Sequence, residues 1–350
     1  MYPLVCVNLT KYKENIEQMI KLTKPLNIEL TVVSKMYCSK QPLIDVINES
    51  EVKYIGDANI ENFIKIKTKK KKMLLRLPQL HELNTIIKYV DVTLQSELKT
   101  IEEMNRLLSK AESVHEIILM FDLGDLREGL YYNQPYLETV EKIISLKNIK
   151  LIGIGTNLTC FGGVIPDLTV LRRLENIKNE IEKTFNIKLS VISGGNSSAI
   201  EMVRKKEIPQ FINHLRLGES IILGRETAYG KQIEKMHDDV ITVVAQIIEI
   251  KNKPSMPDGK TGMDAFGNRV FFTDKGPMNR AILALGKQNV DCNNLIPTDD
   301  SEILGCSSDH LILNIKDQKY EIGDTITFKL TYGGILSVMT SPYTRKKYER

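Results

Sequence analysis

The sequence predicts an α/β protein, a (β/α)8 TIM barrel followed by a smaller all-β domain. Three observations carry this. Short apolar runs alternate with amphipathic stretches over the first two-thirds of the chain; the runs number eight; and long helical patterns stop near residue 232.

The apolar runs are LTVVSK (30–35), YIGD (54–57), MLLRLP (73–78), VTLQ (92–95), EIILMFDLG (116–124), LIGIGTNL (151–158), LSVISGG (189–195) and HLRLGES (214–220). Each is short and apolar, as buried strands are. Between them lie helical patterns such as KQPLIDVINES (40–50), QSELKTIEEMNRLLSKA (95–111), PYLETVEKIISL (135–146) and TVLRRLENIKNEIEKTF (169–185). Eight strands separated by helices match the count and order of a barrel; an open doubly wound sheet is the weaker alternative. From DDVITVVAQIIEIK (238–251) onward the pattern is β-type: RVFFT, RAILALG, HLILNI and DTITFKLTYGGILSVM, separated by PDG, GN, NN and GD turn signals. The expected domains are 1–232 and 233–350, with the first strand a candidate member of the β-domain.

Composition narrows the function classes. The 350 residues are 42% hydrophobic and 26% charged, which argues against disorder and fibrous repeats. Lys and Arg number 48 against 44 Asp and Glu, a formal charge of +4, so neither nucleic acid nor a membrane surface is an expected partner. No apolar run approaches the roughly 20 residues that span a bilayer. The opening MYPLVCVNLTKYKEN lacks a signal-peptide layout. Five scattered cysteines form no CxxC pair, so neither a metal site nor a disulfide framework is indicated, and a cytoplasmic protein with reduced thiols is expected. The KTKKKK run (67–72) is read as a solvated loop or helix end rather than an anion patch.

In a barrel, chemistry sits at the C-terminal ends of strands. Lys35 closes an apolar run, where an unpaired ammonium is costly unless it is consumed as a Schiff base with an aldehyde cofactor. Taken alone, a snorkelling lysine is the commoner explanation. SGGNSSA (193–199) has the composition of an anion cradle, and LRLGES (215–220) follows on the next strand, where barrels commonly bind phosphate. Backbone N–H groups at Gly218 and Glu219 and the Ser197 hydroxyl could together hold one. A tight turn explains the glycine pair equally well.

These segments together resemble the fold-type III pyridoxal-phosphate-dependent alanine racemase family. A strand-end lysine in a V-V-K sequence appears as VVSK. The family's D-x-G-x-x-R-x-G appears as Asp122 to Gly129, its G-x-x-T-H as GIGTN with Asn157 in place of histidine, and its N-S-A as Asn196-Ser197-Ser198. Its R-x-G is Arg216-Leu217-Gly218, and its S-M-D resembles Ser307-Ser308-Asp309. The matches keep family order from residue 32 to 315. Within the family, LGDLREGL, NLTCFGG, LGRETAYG, GMDAFGN and LTYGGILSVMTSPY are most similar to the ornithine racemase branch.

The resemblance implies pyridoxal 5'-phosphate as cofactor, Lys35 as its covalent anchor and one proton carrier, Arg216 at the pyridine nitrogen, and Arg127 on a substrate carboxylate or the cofactor's phenolate oxygen. It also implies Asn196, Ser197, Gly218 and Glu219 around the phosphate, Asn157 near the ring, Tyr343 as a C-terminal tyrosine closing over the phosphate, and a homodimer with shared active sites. Structural alternatives stand beside each: a barrel-mouth salt bridge for Arg216, an ion pair to Glu128 or Asp125 for Arg127, a helix cap for Asn196 and Ser197, packing for Tyr343, and a β-domain structural role for His310. Where the family carries its second base, a tyrosine in a Y-G pair, this chain has Phe266-Gly267, so Asp264 becomes the expected carrier, with a turn role as its competitor. The tyrosine four residues after the family's lysine is Ser39, and Tyr37 is expected to replace it. The lysine that steadies the arginine in some members is Met120, so another group must orient Arg127. Racemisation of an amino acid, best guess ornithine, is the expected function. The alternatives are an alanine or broad-specificity racemase, a non-catalytic cofactor carrier and, more remotely, a decarboxylase.

Overall fold

The structure is a computed structural model describing residues 1–350. It divides into two compact units, Lys11–Asp238 and a second made of Met1–Thr10 with Asp239–Arg350.

The larger unit is a closed parallel barrel. In chain order, and counting the N-terminal strand Leu4–Asn8 as β1, its strands are β2 (Glu29–Val33), β3 (Tyr54–Asp57), β4 (Lys71–Leu74), β5 (Val92–Gln95), β6 (His115–Asp122), β8 (Ile149–Gly155), β9 (Val191–Ser193) and β10 (His214–Leu217); β7 (Leu130–Tyr131) adds two residues beside β6. Pairing runs β2 to β6 in sequence order, then β8, β9 and β10, and β10 closes on β2 with Leu217 opposite Val32. The eight barrel strands coincide with the eight apolar runs. Their side chains fill the interior, where Met73, Val92, Leu94, Ile118, Met120 and Ile152 form one buried cluster. Removing such surfaces from water is the main driving force for closure.

Helices cover the outside, each burying one stripe. The longest, Leu168–Phe185, buries Val170, Leu171, Leu174, Ile177 and Ile181 at helical spacing. Asp167 starts it by accepting a 2.7 Å bond from Val170 N, and Asn186 ends it in a left-handed conformation. Lysines 71 and 72, which were read as a loop or helix end, instead open β4; Lys71 pairs with Glu116 at 2.8 Å.

The second unit is an antiparallel sheet organised by one long strand, β11 (Ile241–Pro254), which alternates buried and half-buried side chains in its first half. Strand β12 (Pro277–Leu283) and β16 (Thr325–Leu330) pair with it; β13 (Leu295–Pro297), β14 (Glu302–Cys306) and β15 (Leu311–Asn314) complete the path. Strand β1 pairs antiparallel with β11 and parallel with β17 (Arg345–Glu349).

Two segments differ from the sequence expectation. RVFFT (269–273) is not a strand: apart from one bridge between Met263 and Arg269 it is irregular, and Phe271 is 91% exposed. β propensity without a partner strand does not make a strand. The run DTITFKLTYGGILSVM splits, its second half forming the helix Tyr332–Thr340. Thr331 caps it through Gly334 N, and Ile335, Val338 and Met339 pack inward at helical spacing. No helix is long and apolar enough to cross a membrane.

Candidate active site

The predicted residues of the barrel unit gather at the C-terminal ends of its strands. Lys35 follows β2 and is half-buried, and no hydrogen bond or ion pair engages its ammonium. Gly218 follows β10, the neighbouring strand, and a Cβ there would lie 3.1 Å from Val33 Cβ, so the two strand ends pass closely.

Arg216 is the electrostatic centre. It is 3% exposed, and its guanidinium donates to Ser193 Oγ, to Thr156 O (2.7 Å) and to Asn157 Oδ1 (2.6 Å). Burial pulls its pKa down to about 10, while Glu128 opposes the fall. It therefore remains a cation at neutral pH. Beneath it lies a chain the sequence did not advertise. Ser193 Oγ, which accepts from Arg216, lies 2.8 Å from His214 Nδ1; His214 Nε2 lies 2.8 Å from Thr31 Oγ1, and Thr31 points its hydroxyl at Met73 Sδ. His214 is neutral here. Burial first and Arg216 second hold its pKa at about 3.

Asn157 also donates to Glu128, and Glu128 forms an ion pair with Arg127. Glu128 thus supplies the group that orients Arg127 where Met120 stands in place of a lysine. The motif's last residue, Gly129, has φ +127°, and a Cβ there would come within 2.4 Å of Asp122 N; only glycine fits the turn that brings Glu128 back toward Asn157. The two acids that precede Arg127, Asp122 and Asp125, are loop staples. Asp122 accepts from Gly124 N and Leu126 N. Asp125 accepts from the N–H groups of Thr159, Cys160, Phe161 and Val164; burial pushes its carboxyl up, but those four bonds hold it below the usual range.

The anion cradle lies across two short helical turns. Asn196 caps Ser197–Ala199 by accepting from Ser198 N at 2.9 Å. Ser197 Oγ lies 3.1 Å from Ser220 Oγ and accepts from Ser220 N at 3.1 Å, which ties this turn to the helix Glu219–Leu223, capped by Gly218. Glu219 itself faces Arg225, at 2.6 Å. Two buried hydroxyls here have no partner, Thr156 Oγ1 beside Arg216 and Ser198 Oγ in the cradle. Unpaired buried hydroxyls are rare, and a bound phosphorylated ring would offer acceptors to such groups. The residues present therefore fit pyridoxal phosphate: an unpaired lysine, a buried cation and a hydroxyl-rich turn.

The other expected residues make contacts of their own. Tyr37 has no exposed surface, and its hydroxyl meets that of Tyr12 at 2.6 Å. Burial raises its pKa well above the ordinary value. In the second unit Asp264 closes a small turn, accepting from Phe266 N (2.9 Å), Asn268 N (2.8 Å) and Asn268 Nδ2 (3.2 Å). The Asn268 N–H lowers its pKa most, where a proton carrier would need it raised. Tyr343 is exposed, and its N–H donates to Ser341 Oγ; the His310 N–H donates to Ser307 Oγ.

Comparison with known proteins agrees with this geometry. The sequence pattern of the alanine racemase N-terminal domain matches residues 7–226. The ornithine racemase of Acetoanaerobium sticklandii is 44% identical over 351 residues, covering 99% of both chains. The lysine racemase of Thermotoga maritima is 35% identical over 354 residues, covering 100% of this chain and 99% of its own. Among solved structures, alanine racemase from Bartonella henselae with covalently bound pyridoxal phosphate superposes with a TM-score of 0.76 at 16% identity over the whole of both chains, a likeness of fold. The barrel, its strand-end lysine and its buried arginine define a pyridoxal-phosphate racemase. The chain belongs to the alanine racemase family, and it is an amino-acid racemase that works with pyridoxal 5'-phosphate.

Proposed function

We propose that the chain interconverts L- and D-ornithine by proton transfer at Cα, in the cytoplasm, as a homodimer with shared sites. The observation that carries the reaction class is Lys35, a half-buried strand-end lysine without a partner, beside the Arg216 network and the Ser197–Ser220 cradle. The choice of ornithine rests on the relative 44% identical over nearly the full length. Lysine is the second candidate, since the 35% identical relative is named for it and both substrates carry a side-chain ammonium.

Lys35 would anchor the cofactor and, once released, hold and return the Cα proton on one face. The bound cofactor spreads the electron pair left at Cα. Asn196, Ser197, Gly218 and Glu219 would hold the phosphate through hydroxyl and backbone N–H groups. Arg216 would donate to the ring nitrogen; a guanidinium with a pKa near 10 does not give up its proton there, which limits electron withdrawal into the ring and disfavours transamination. Arg127, held by Glu128, suits a planar carboxylate. Tyr343 would close over the phosphate.

The opposite face needs a second carrier. Asp264 from the partner's second unit remains the first residue to test, and its bonds to Asn268 and Phe266 would have to be exchanged on docking. The exposed Met263 and Phe271 of the same segment favour a covered surface there.

Incubation with single L-amino acids, followed by loss of optical rotation, tests the substrate. Ornithine should racemise fastest and lysine next. Faster turnover of alanine would overturn the assignment.

A further inference from the structure

Asp57 closes β3 and has no exposed surface and no salt bridge. A buried carboxylate without a cation is costly unless donors surround it. Four do. Its Oδ2 accepts from Ser39 Oγ at 2.7 Å and Ser34 Oγ at 3.0 Å, and its Oδ1 from Asn59 N and Asn62 Nδ2, each at 3.0 Å. The two serine hydroxyls lie 2.6 Å apart. They flank Lys35, the one on its N-terminal side and the other four residues after it.

Between the serines the backbone is unusual. Lys35–Tyr37 form a single tight turn, then Cys38 (φ 52°) and Ser39 (φ 45°) are both left-handed, and Ser39 N returns to Ser34 O at 3.2 Å. Two consecutive non-glycine residues in that region are strained, and such strain persists only where the surroundings impose it. Met36 and Tyr37, the other two residues of this turn, are buried, so the shape of the loop decides where Lys35 can reach.

We propose that Asp57 is a positioning residue for Lys35: its carboxylate, through Ser34 and Ser39, holds the left-handed turn that presents Lys35 for covalent capture of the cofactor. The inference rests on Lys35 being the anchor, as proposed above. It also accounts for the serine inserted before Lys35 and the serine at 39, since both hydroxyls lie within hydrogen-bond reach of Asp57, Ser34 Oγ reaching Gly56 O (3.1 Å) as well.

The test uses the full-length chain stripped of cofactor and mixed with pyridoxal phosphate. Capture is read by the absorbance of the bound cofactor and by the mass fixed to the Lys35 peptide with borohydride. Asp57→Asn removes the charge that two hydroxyls serve, and capture should weaken about tenfold. Glycine adopts positive φ without strain. Cys38→Gly alone should therefore capture as the wild type does, and in the double variant it should restore most of what Asp57→Asn loses. A role confined to folding would show no such rescue. Wild-type capture by Asp57→Asn, or a loss that Cys38→Gly leaves untouched, overturns the proposal. If Asp57→Asn does not fold, Ser39→Ala is read in the same way, alone and with Cys38→Gly. Cofactor fixed to another lysine in the wild type would remove the assignment of Lys35 and this inference with it; capture at Lys35 that is indifferent to Asp57 removes only the inference.

Discussion

Asn157 accepts a 2.6 Å hydrogen bond from Arg216 and donates to Glu128, so one neutral amide joins the buried cation to the carboxylate that holds Arg127. An amide can do both because it carries a donor and an acceptor on one plane and does not titrate. A histidine at this position, as is usual in the family, would add a titrating group between two arginines.

Glu128→Gln tests that bridge. Glutamine can still accept from Asn157 but no longer pairs ionically with Arg127. If Arg127 binds the substrate carboxylate, KM should rise about tenfold while kcat changes less. A fall in kcat at unchanged KM would place Arg127 elsewhere in the reaction.

The buried imidazole of His214 makes stability depend on pH. Its folded pKa is about 3 against 6.5 for the free side chain, so the unfolded chain takes up a proton that the folded chain refuses. Stability is therefore complete above about pH 6.5 and falls as pH drops toward 3, by up to ~1.4 kcal/mol per pH unit for one such group. His115, lowered by burial to about 4, adds to the same slope. Urea midpoints should decline from pH 7 to pH 5, and His214→Gln, which can bond both Thr31 and Ser193, should flatten the decline. An unchanged slope would contradict the buried neutral imidazole.

Most of the barrel was legible because its strands are short apolar runs whose type does not depend on neighbours; all eight lie where the hydrophobic pattern put them. Residues 332–340 were misread because GGILSVM suits a strand as well as a helix, and only the Thr331 cap and the inward packing of Ile335, Val338 and Met339 decide it. The motif residues Lys35, Arg127, Asn196, Ser197 and Arg216 were visible by type and order. Ser193, His214 and the serine contacts of Asp57 were not, nor was the bond from Asn157 to Glu128, because they join residues 23, 21, 18 and 29 positions apart that only folding brings together. Asp57 left one trace, a carboxylate ending the apolar strand YIGD.

The second carrier is tested by Asp264→Asn. Asparagine Oδ1 can keep the backbone bonds from Asn268 and Phe266 but cannot move a proton. Racemisation should slow by about 10²-fold or more with cofactor absorbance intact. Exchange of the Cα proton with deuterated solvent should fall far more for one enantiomer than for the other. Wild-type exchange of both would move the search to Tyr343, Cys292, Cys306 and His310.

Borohydride reduction of the purified, cofactor-loaded protein, followed by peptide mapping, is the most direct test of the central claim. The cofactor should be fixed to the peptide containing Lys35 and to no other, and Lys35→Ala should abolish both the label and racemisation. Label on any other lysine, or full racemase activity in Lys35→Ala, would contradict the account.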